Sequence, residues 1–235
     1  MPSPPDSSVA DVSALTPVAS ALIIASLMVG IAYPLVDPQL STIASIAAKG
    51  LCVGLLTIAA LTLASPLRWW PAAIMAAGTA GDVLLEVPGG FFFGAAAFAI
   101  GHGIAIFFYW QHRRDDSPAA NTLGALALIG WGLAMPGLVS PAGTPVGALM
   151  LYSVLLCGMA AALQCSRFSR LAVIGAVLFV VSDTLLIMRI GGRTVGDAAL
   201  HGLLIWLSYS LGQALILLGL ARSLGNATRP GHQAT

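Results

Sequence analysis

Charged residues are scarce in this chain. Only 8% of its 235 residues are Asp, Glu, Lys or Arg, whereas an average soluble domain has about 25%. Hydrophobic residues make up 58%, which excludes a water-soluble globule. The 10 basic residues against 9 acidic ones leave a net charge of +1, too little for the basic surface that nucleic-acid binding requires. A polytopic membrane protein remains.

Cysteine is also rare, with three residues that all fall in apolar stretches or at their ends: Cys52, Cys157 and Cys165. This odd, dispersed set indicates neither a disulfide framework nor a cysteine metal cluster. Residues 1–17 are rich in Pro and Ser and contain no Lys or Arg, so they lack the basic start of a signal peptide. We predict a disordered cytoplasmic tail there and a second cytoplasmic tail at 223–235.

Eight apolar stretches are long enough to cross a bilayer core of about 30 Å, which takes about 20 residues per helix. Short connectors with Pro and Gly separate them, so residues 18–222 are predicted to form one all-α, eight-helix transmembrane domain. The predicted spans are Val18–Leu35, Leu40–Ala64, Leu67–Val87, Phe91–Gln111, Ala120–Val139, Pro145–Cys165, Arg167–Ile190 and Ala198–Arg222.

Cations are distributed unevenly between the two ends of these spans. Lys and Arg near span ends are retained on the cytoplasmic side. The end that bears both termini holds Arg68, Arg113, Arg114, Arg167, Arg170, Arg222 and Arg229, and the other end holds Arg189 and Arg193. We therefore predict an inner (plasma) membrane protein with both termini in the cytoplasm.

Several ionisable residues fall inside the predicted spans, where each is costly unless it faces the protein interior or a wet cavity. At about 1.5 Å per residue, Asp82 and Asp183 lie ~8–10 Å from the outer end, Lys49 ~14 Å and His102 ~17 Å. Glu86 lies one turn from Asp82 on the same face. Their shared location predicts one polar cavity that opens away from the cytoplasm.

Other polar residues accompany this group. Ser41, Ser45, Lys49 and Thr57 share one face of span two, Tyr209 and Gln213 share one face of span eight, and Tyr152 lies at the depth of the aspartates. Ser and Thr stripes also serve helix packing, and tyrosines near span ends also serve as interface anchors. His102 suits a packing role as well as a site role, and His201 favours a packing role. Arg189 and Arg193 favour interfacial roles, with contact to a lipid phosphate as the alternative.

Two similar pentapeptides surround the aspartates: Gly81-Asp82-Val83-Leu84-Leu85 in span three and Ser182-Asp183-Thr184-Leu185-Leu186 in span seven. Four spans separate them, so the two helices run in the same direction. This pattern indicates two four-helix halves in a parallel pseudo-repeat, whose pseudo-two-fold axis would bring the aspartates face to face.

The chain resembles the YhhN family of integral-membrane lysoplasmalogenases from span two to span eight. The resemblance is carried by the motif at Gly81–Leu85 with Phe93-Gly94, Phe98 and His102, by Gly175–Phe179 running into Ser182-Asp183, and by Tyr209 with Gln213–Ile216. Two positions depart from the family pattern. Lys49 is followed by Gly50 rather than Pro, and Ala105 replaces an aromatic residue three positions after His102.

The resemblance implies cleavage of the vinyl ether of a one-chain lysoplasmalogen to a fatty aldehyde and glycerophosphoethanolamine or glycerophosphocholine, with Asp82 and Asp183 as the catalytic pair. It implies no metal and no organic cofactor, and membrane lipid as the surroundings of the substrate. Two carboxyl groups that share a proton suit a reaction that needs an acid beside a stabilising anion. Substrate-binding or supporting roles are expected for a wider set: Lys49, Glu86, His102, Tyr152, Ser182, Tyr209 and Gln213.

Three other functions use similar residues. A proton-coupled transporter also contains intramembrane acids and a lysine. An intramembrane aspartyl protease would require Gly where this chain has Thr79. A zinc amide hydrolase would use Asp82, Glu86, His102 and His201 as ligands.

Overall fold

A computed structural model describes residues 13–140 and 146–225, and these residues form eight α-helices and no β-strand. The helices are α1 (Pro17–Val36), α2 (Thr42–Leu61), α3 (Trp69–Glu86), α4 (Phe91–Gln111), α5 (Ala119–Val139), α6 (Gly147–Gln164), α7 (Arg170–Ile190) and α8 (Ala198–Leu224). Every boundary lies within three residues of the predicted one. The predicted all-α, polytopic fold is thus confirmed.

In the described part of the chain, seven helices are long and apolar enough to cross a membrane. The exception is α3, whose 18 residues include two tryptophans, a proline and the charged residues Asp82 and Glu86. These residues lower its hydropathy, yet α3 packs between α2 and α4 in the bundle. The face that a helix turns toward its neighbours can carry polar groups that lipid would not tolerate, and Asp82 on α3 is buried.

The tail at 1–17 was predicted to be disordered, but its last residues pack against the helices. Ala14 is buried, its backbone N–H donates to Ala221 O at 2.9 Å, and its carbonyl accepts from Ala64 N–H at 2.9 Å. Thr16 then caps α1 by accepting from Ala19 N–H at 3.0 Å, so the chain is already fixed before the helix begins. Residues 1–12 and most of the predicted C-terminal tail lie outside the described residues, and α8 continues to Leu224.

Cation-bearing connections meet at one end of the bundle. Arg114 N–H donates to Cys165 O at 3.0 Å, and Arg167 N–H donates to His112 O at 2.8 Å. The Arg167 guanidinium also pairs with Asp115 at 2.5 Å. These bonds join the α4–α5 connection to the α6–α7 connection, so both lie on the same face.

The helices pack as a ring of α2, α3, α4, α6, α7 and α8, with α1 outside α2 and α8 and with α5 outside α6 and α7. If the halves are α1–α4 and α5–α8, the contact of α4 with α6 corresponds to the contact of α8 with α2. Both contacts are present. The outer helices break the symmetry, because α1 also packs on α8 whereas α5 also packs on α7.

Close backbone contact fixes the crossing of α7 and α8. A Cβ at Gly175 would lie 2.6 Å from Gly212 O, and one at Gly212 would lie 2.8 Å from Gly175 O. Small residues at a helix crossing permit this approach within a membrane. Because α7 carries Asp183 and α8 carries Tyr209, the crossing sets the separation of two candidate site residues.

Candidate functional site

Asp82 and Asp183 line a single cavity of about 90 Å³ near the C-terminal ends of α3 and α7. Both side chains are buried, with 8% and 5% of their surface exposed. At about 1.5 Å per residue, Asp82 lies ~6 Å and Asp183 ~10 Å from the end of its helix. The two carboxyl groups therefore face one space from parallel helices.

Each aspartate accepts a hydrogen bond from a tyrosine. Tyr209 OH on α8 donates to Asp82 Oδ2 at 2.8 Å, and Tyr152 OH on α6 donates to Asp183 Oδ2 at 2.6 Å. Among the described residues, neither Asp82 Oδ1 nor Asp183 Oδ1 has a hydrogen-bond partner. Each tyrosine thus fixes one carboxylate oxygen and leaves the other available to a group in the cavity.

Phe98 on α4 forms the wall of the cavity beside Asp82. A Cβ at Gly81 would lie 2.5 Å from the Phe98 ring, so glycine is required where this ring packs against α3. The ring also makes edge contacts with Phe179 and Tyr209, with centroids 5.9 and 6.0 Å apart. The glycine before Asp82 therefore lets an aromatic side chain enclose the acid.

Lys49 on α2 lines the same cavity and forms an ion pair with Glu86 on α3. Its Nζ also lies 5.5 Å from the centroid of the Tyr33 ring. A carboxylate partner makes a lysine within a span less costly. The pair joins α2 to α3 at the edge of the cavity, beside the aspartates.

Two more polar residues of α7 reach the cavity, Ser182 and Arg189. Ser182 is buried, and its hydroxyl makes no hydrogen bond to another described residue. Arg189 makes no ion pair within the described ranges, whereas Arg193 donates to Leu138 O at 2.9 Å. Arg189 is thus the cation at this cavity that no carboxylate there neutralises.

An apolar groove of about 300 Å³ adjoins the cavity and is formed by α4, α6 and α7. It shares with the cavity the side chains of Leu85, Phe98, Tyr152, Asp183 and Leu186. Apart from Tyr152 and Asp183, its walls are apolar.

The outer walls of the groove include exposed hydrophobic residues such as Phe92 on α4 and Leu151 on α6. These residues belong to helices long and apolar enough to span a membrane. The groove therefore runs from the lipid-facing surface to Asp183.

The predicted site residues divide between two cavities. Lys49, Glu86, Tyr152, Ser182 and Tyr209 line the cavity that holds the aspartates. His102 and Gln213 instead line a smaller inner cavity of about 20 Å³. His102 is expected to have a substrate-binding or supporting role; its ring makes no hydrogen bond to either carboxylate and stacks on Phe98.

Four further polar residues of the predicted spans have structural partners. His201 accepts from Val195 N–H at 3.0 Å through Nδ1, and its Nε2 lies 2.9 Å from Leu185 O. Ser41 caps α2, and Ser45 donates to Asp37 at 2.6 Å. Thr57 bonds to Thr79 across α2 and α3 at 3.1 Å.

Metal ligands are not clustered in the described part of the chain, where no three His, Cys, Asp or Glu side chains are close enough to hold an ion. His201, one of the residues that a zinc site would use, has both ring nitrogens within hydrogen-bond distance of backbone atoms. The geometry gives no support to a zinc-dependent hydrolase.

The two departures from the family pattern have local explanations. At Gly50, α2 continues without interruption, and a Cβ would lie 2.7 Å from Val83, so α3 packs closely there. Ala105 is fully buried and lines the inner cavity beside His102. A larger side chain at 105 would reduce that cavity rather than the one between the aspartates.

Arg189 and the apolar residues of the groove are absent from the predicted site. Arg189 follows Ser182 by seven residues and so shares its helix face, which was a usable signal for the arginine. The groove had no signal, because apolar residues that line it resemble those that contact lipid. Only the packing of α4 against α6 and α7 distinguishes them.

Comparisons with known proteins give one match. The model of the YhhN family matches residues 44–220, and these residues make up most of the chain. No curated protein and no solved structure matches it significantly.

Proposed function

The chain belongs to the YhhN family, and from this premise we propose that it is a membrane-embedded hydrolase that cleaves the vinyl ether bond of lysoplasmalogens. The observation that carries the proposal is that Asp82 and Asp183 line one cavity and that this cavity joins an apolar groove reaching the lipid-facing surface. A lipid substrate requires both parts.

The reaction uses the two carboxyl groups as a pair. A carboxylic acid of the pair protonates the β-carbon of the vinyl ether, which generates an oxocarbenium ion that the ionised carboxylate of the pair stabilises. Water then forms a C–O bond at the oxocarbenium carbon and releases a proton to a carboxylate. The resulting hemiacetal collapses to a fatty aldehyde and the free glycerol hydroxyl. The proton belongs to the pair rather than to either aspartate.

The tyrosines support this chemistry by holding each carboxyl group in place. Tyr152 and Tyr209 each donate to one aspartate oxygen from a different helix. Groups that are fixed before the reaction avoid the cost of reorganising as charge develops in the transition state. Ser182 provides a further hydroxyl at the cavity for the substrate or for water.

The headgroup occupies the mouth of the cavity in this proposal. Arg189 is the cation there without an ion-pair partner among the described residues, and Lys49 is already paired with Glu86. An arginine side chain suits a lipid phosphate because its planar guanidinium forms two parallel hydrogen bonds to phosphate oxygens. We therefore assign phosphate binding to Arg189 and a supporting role to the Lys49–Glu86 pair.

The hydrocarbon chain lies in the groove between α4 and α6. The groove shares Asp183 and Tyr152 with the aspartate cavity, and its apolar walls suit one hydrocarbon chain. Phe92 and Leu151 at its outer side are exposed, so the chain can enter sideways from the bilayer.

The cation distribution supports a site that opens away from the cytoplasm. The arginine-bearing connections after α4 and α6 are joined at one end of the bundle, and Asp82 and Asp183 lie toward the other. Because arginines near span ends are retained inside, we place both termini in the cytoplasm of a plasma-membrane protein.

The experiment that tests the function compares three lysolipids. Detergent-solubilised protein is incubated with lysoplasmalogen, with the ester lysophospholipid and with the alkyl ether lysolipid, and the products are identified by mass. We expect fatty aldehyde from the vinyl ether alone, because only a vinyl ether forms an oxocarbenium ion when its β-carbon is protonated. Absence of aldehyde from folded protein would refute the proposal.

Proton-coupled transport is the competing function, since paired intramembrane acids also relay protons. Protein reconstituted in liposomes would then move a solute with protons and release no aldehyde. The aldehyde assay and the flux assay on one preparation separate the two functions.

A further inference from the structure

The inner cavity contains buried polar groups without partners. His102 and Gln213 are 3% and 4% exposed and Tyr109 is fully buried, and all three line this cavity. Within the described ranges, His102 Nε2 and Tyr109 OH have no hydrogen-bond partner, and the Gln213 side chain, which lines the same cavity, makes no hydrogen bond to another described residue. A buried polar group without a partner is costly, so each such group in a native protein requires an explanation.

The size and lining of the cavity match a water molecule. Its volume is about 20 Å³, and a site needs roughly 10–15 Å³ and two to four polar partners to hold one water. Neutral imidazole, phenol and amide together provide both donors and acceptors. The remaining walls are apolar, so no ion is favoured over water.

Tyr109 and His102 are also arranged to face the same space. They are seven residues apart on α4 and share one helix face. Long side chains on a helix point back toward its N-terminus, so the Tyr109 hydroxyl is directed toward His102. Ala105 lies between them and is small enough to leave the space open.

We propose that His102, Tyr109 and Gln213 bind water in this inner cavity and that this water supplies the hydrolysis in the neighbouring cavity. Phe98 lines both cavities and contacts Phe179 of the inner cavity and Tyr209 of the aspartate cavity, so an aromatic wall separates the bound water from the aspartates. The supply role rests on the proposed function, whereas the binding of water does not.

Radiolytic footprinting tests the binding. X-rays convert bound water to hydroxyl radicals in place, and these oxidise a neighbouring methionine to its sulfoxide. Met159 lines the cavity and is 3% exposed, and Met75 on α3 is fully buried and lines none of the cavities described above. We expect several-fold faster oxidation of Met159 than of Met75. Equal rates would overturn the proposal.

Tyr109→Phe provides a second measurement. If the hydroxyl bonds to water, its removal should slow Met159 oxidation and lower the melting temperature by about 2–4 °C. A dry cavity predicts the opposite, because the variant removes an unsatisfied hydroxyl from the interior. An unchanged or raised melting temperature would therefore overturn the water site.

The supply role has its own readout. If the bound water supplies the hydrolysis, Tyr109→Phe should lower kcat for lysoplasmalogen several-fold and leave KM unchanged. Tyr109 touches neither aspartate, so a direct effect on the acids is not expected. A variant with slowed Met159 oxidation and wild-type kcat would overturn the supply role. If wild-type protein released no aldehyde but still showed fast Met159 oxidation, the proposed function would fail and the water site would stand.

Discussion

Tyr152→Phe tests whether the hydrogen bond to Asp183 serves the reaction. The change removes the hydroxyl that donates to Asp183 Oδ2 at 2.6 Å and leaves the ring in place. We expect kcat for aldehyde release to fall and KM to stay near its wild-type value, because the hydroxyl acts on the acid rather than on the substrate.

The magnitude follows from the length and the chemistry of the bond. A distance of 2.6 Å is within the range of charge-assisted O–H···O⁻ bonds, about 2.5–2.7 Å. Hydrogen bonds to charged groups contribute about 1.5–3 kcal/mol, and each 1.36 kcal/mol in a barrier is about tenfold in rate. The expected fall in kcat is therefore roughly 10- to 150-fold, provided that the bond acts in the transition state.

Tyr33→Phe is the matched control. Tyr33 is also buried and also bonds through its hydroxyl, to Ser45 at 2.9 Å, but it does not line the cavity. This variant should keep wild-type kcat. A folded, monodisperse Tyr152→Phe protein with the same kcat as Tyr33→Phe would refute the assigned role of the bond.

Three further changes probe the headgroup site, the groove and the orientation. Arg189→Gln should raise KM about tenfold or more for a phosphate-bearing substrate and leave KM for an alkenyl glycerol without phosphate unchanged; equal effects on both would exclude phosphate binding. Ala96→Leu narrows the groove and should reduce turnover of long-chain substrates more than of short-chain ones. Ala97→Leu, on the same helix but outside the groove, should not. If the two variants depended on chain length in the same way, the groove assignment would be contradicted. In a cysteine-free background in intact cells, a membrane-impermeant maleimide should modify Gly89→Cys and not Arg114→Cys, and the reverse pattern would show that the orientation is wrong.

The sequence predicted the helices well because each is a long apolar run interrupted by turn-forming residues. It also singled out Asp82 and Asp183, since charges are rare in this chain and their cost in a membrane marks them as functional. The matched pentapeptides placed both on parallel helices, and the structure brings both to one cavity. The length of the apolar runs, the scarcity of charge and the matched pentapeptides were sufficient for these conclusions.

The sequence did not reveal which side chains bond to the aspartates, because these contacts depend on how the helices pack. Tyr209 was grouped with Gln213 by helical spacing, yet Tyr209 bonds to Asp82 and Gln213 lines the inner cavity. His102 had the right depth, yet it lines the inner cavity and makes no hydrogen bond to either acid. The depth of a residue along its helix can be predicted from the sequence. The cavity that its side chain lines cannot be predicted in this way.

The most direct test of the account is aldehyde release by Asp82→Asn, Asp183→Asn and the double variant. Asparagine keeps an oxygen that accepts the tyrosine hydroxyl, so the folded structure should persist, and size-exclusion profiles measured alongside the rates verify this. Each single variant should lose about 10²- to 10⁴-fold in kcat, the usual contribution of general acid catalysis. The double variant should be little slower than either, because residues that act as a unit are not additive. Folded single variants that release aldehyde at the wild-type rate would contradict the aspartate mechanism.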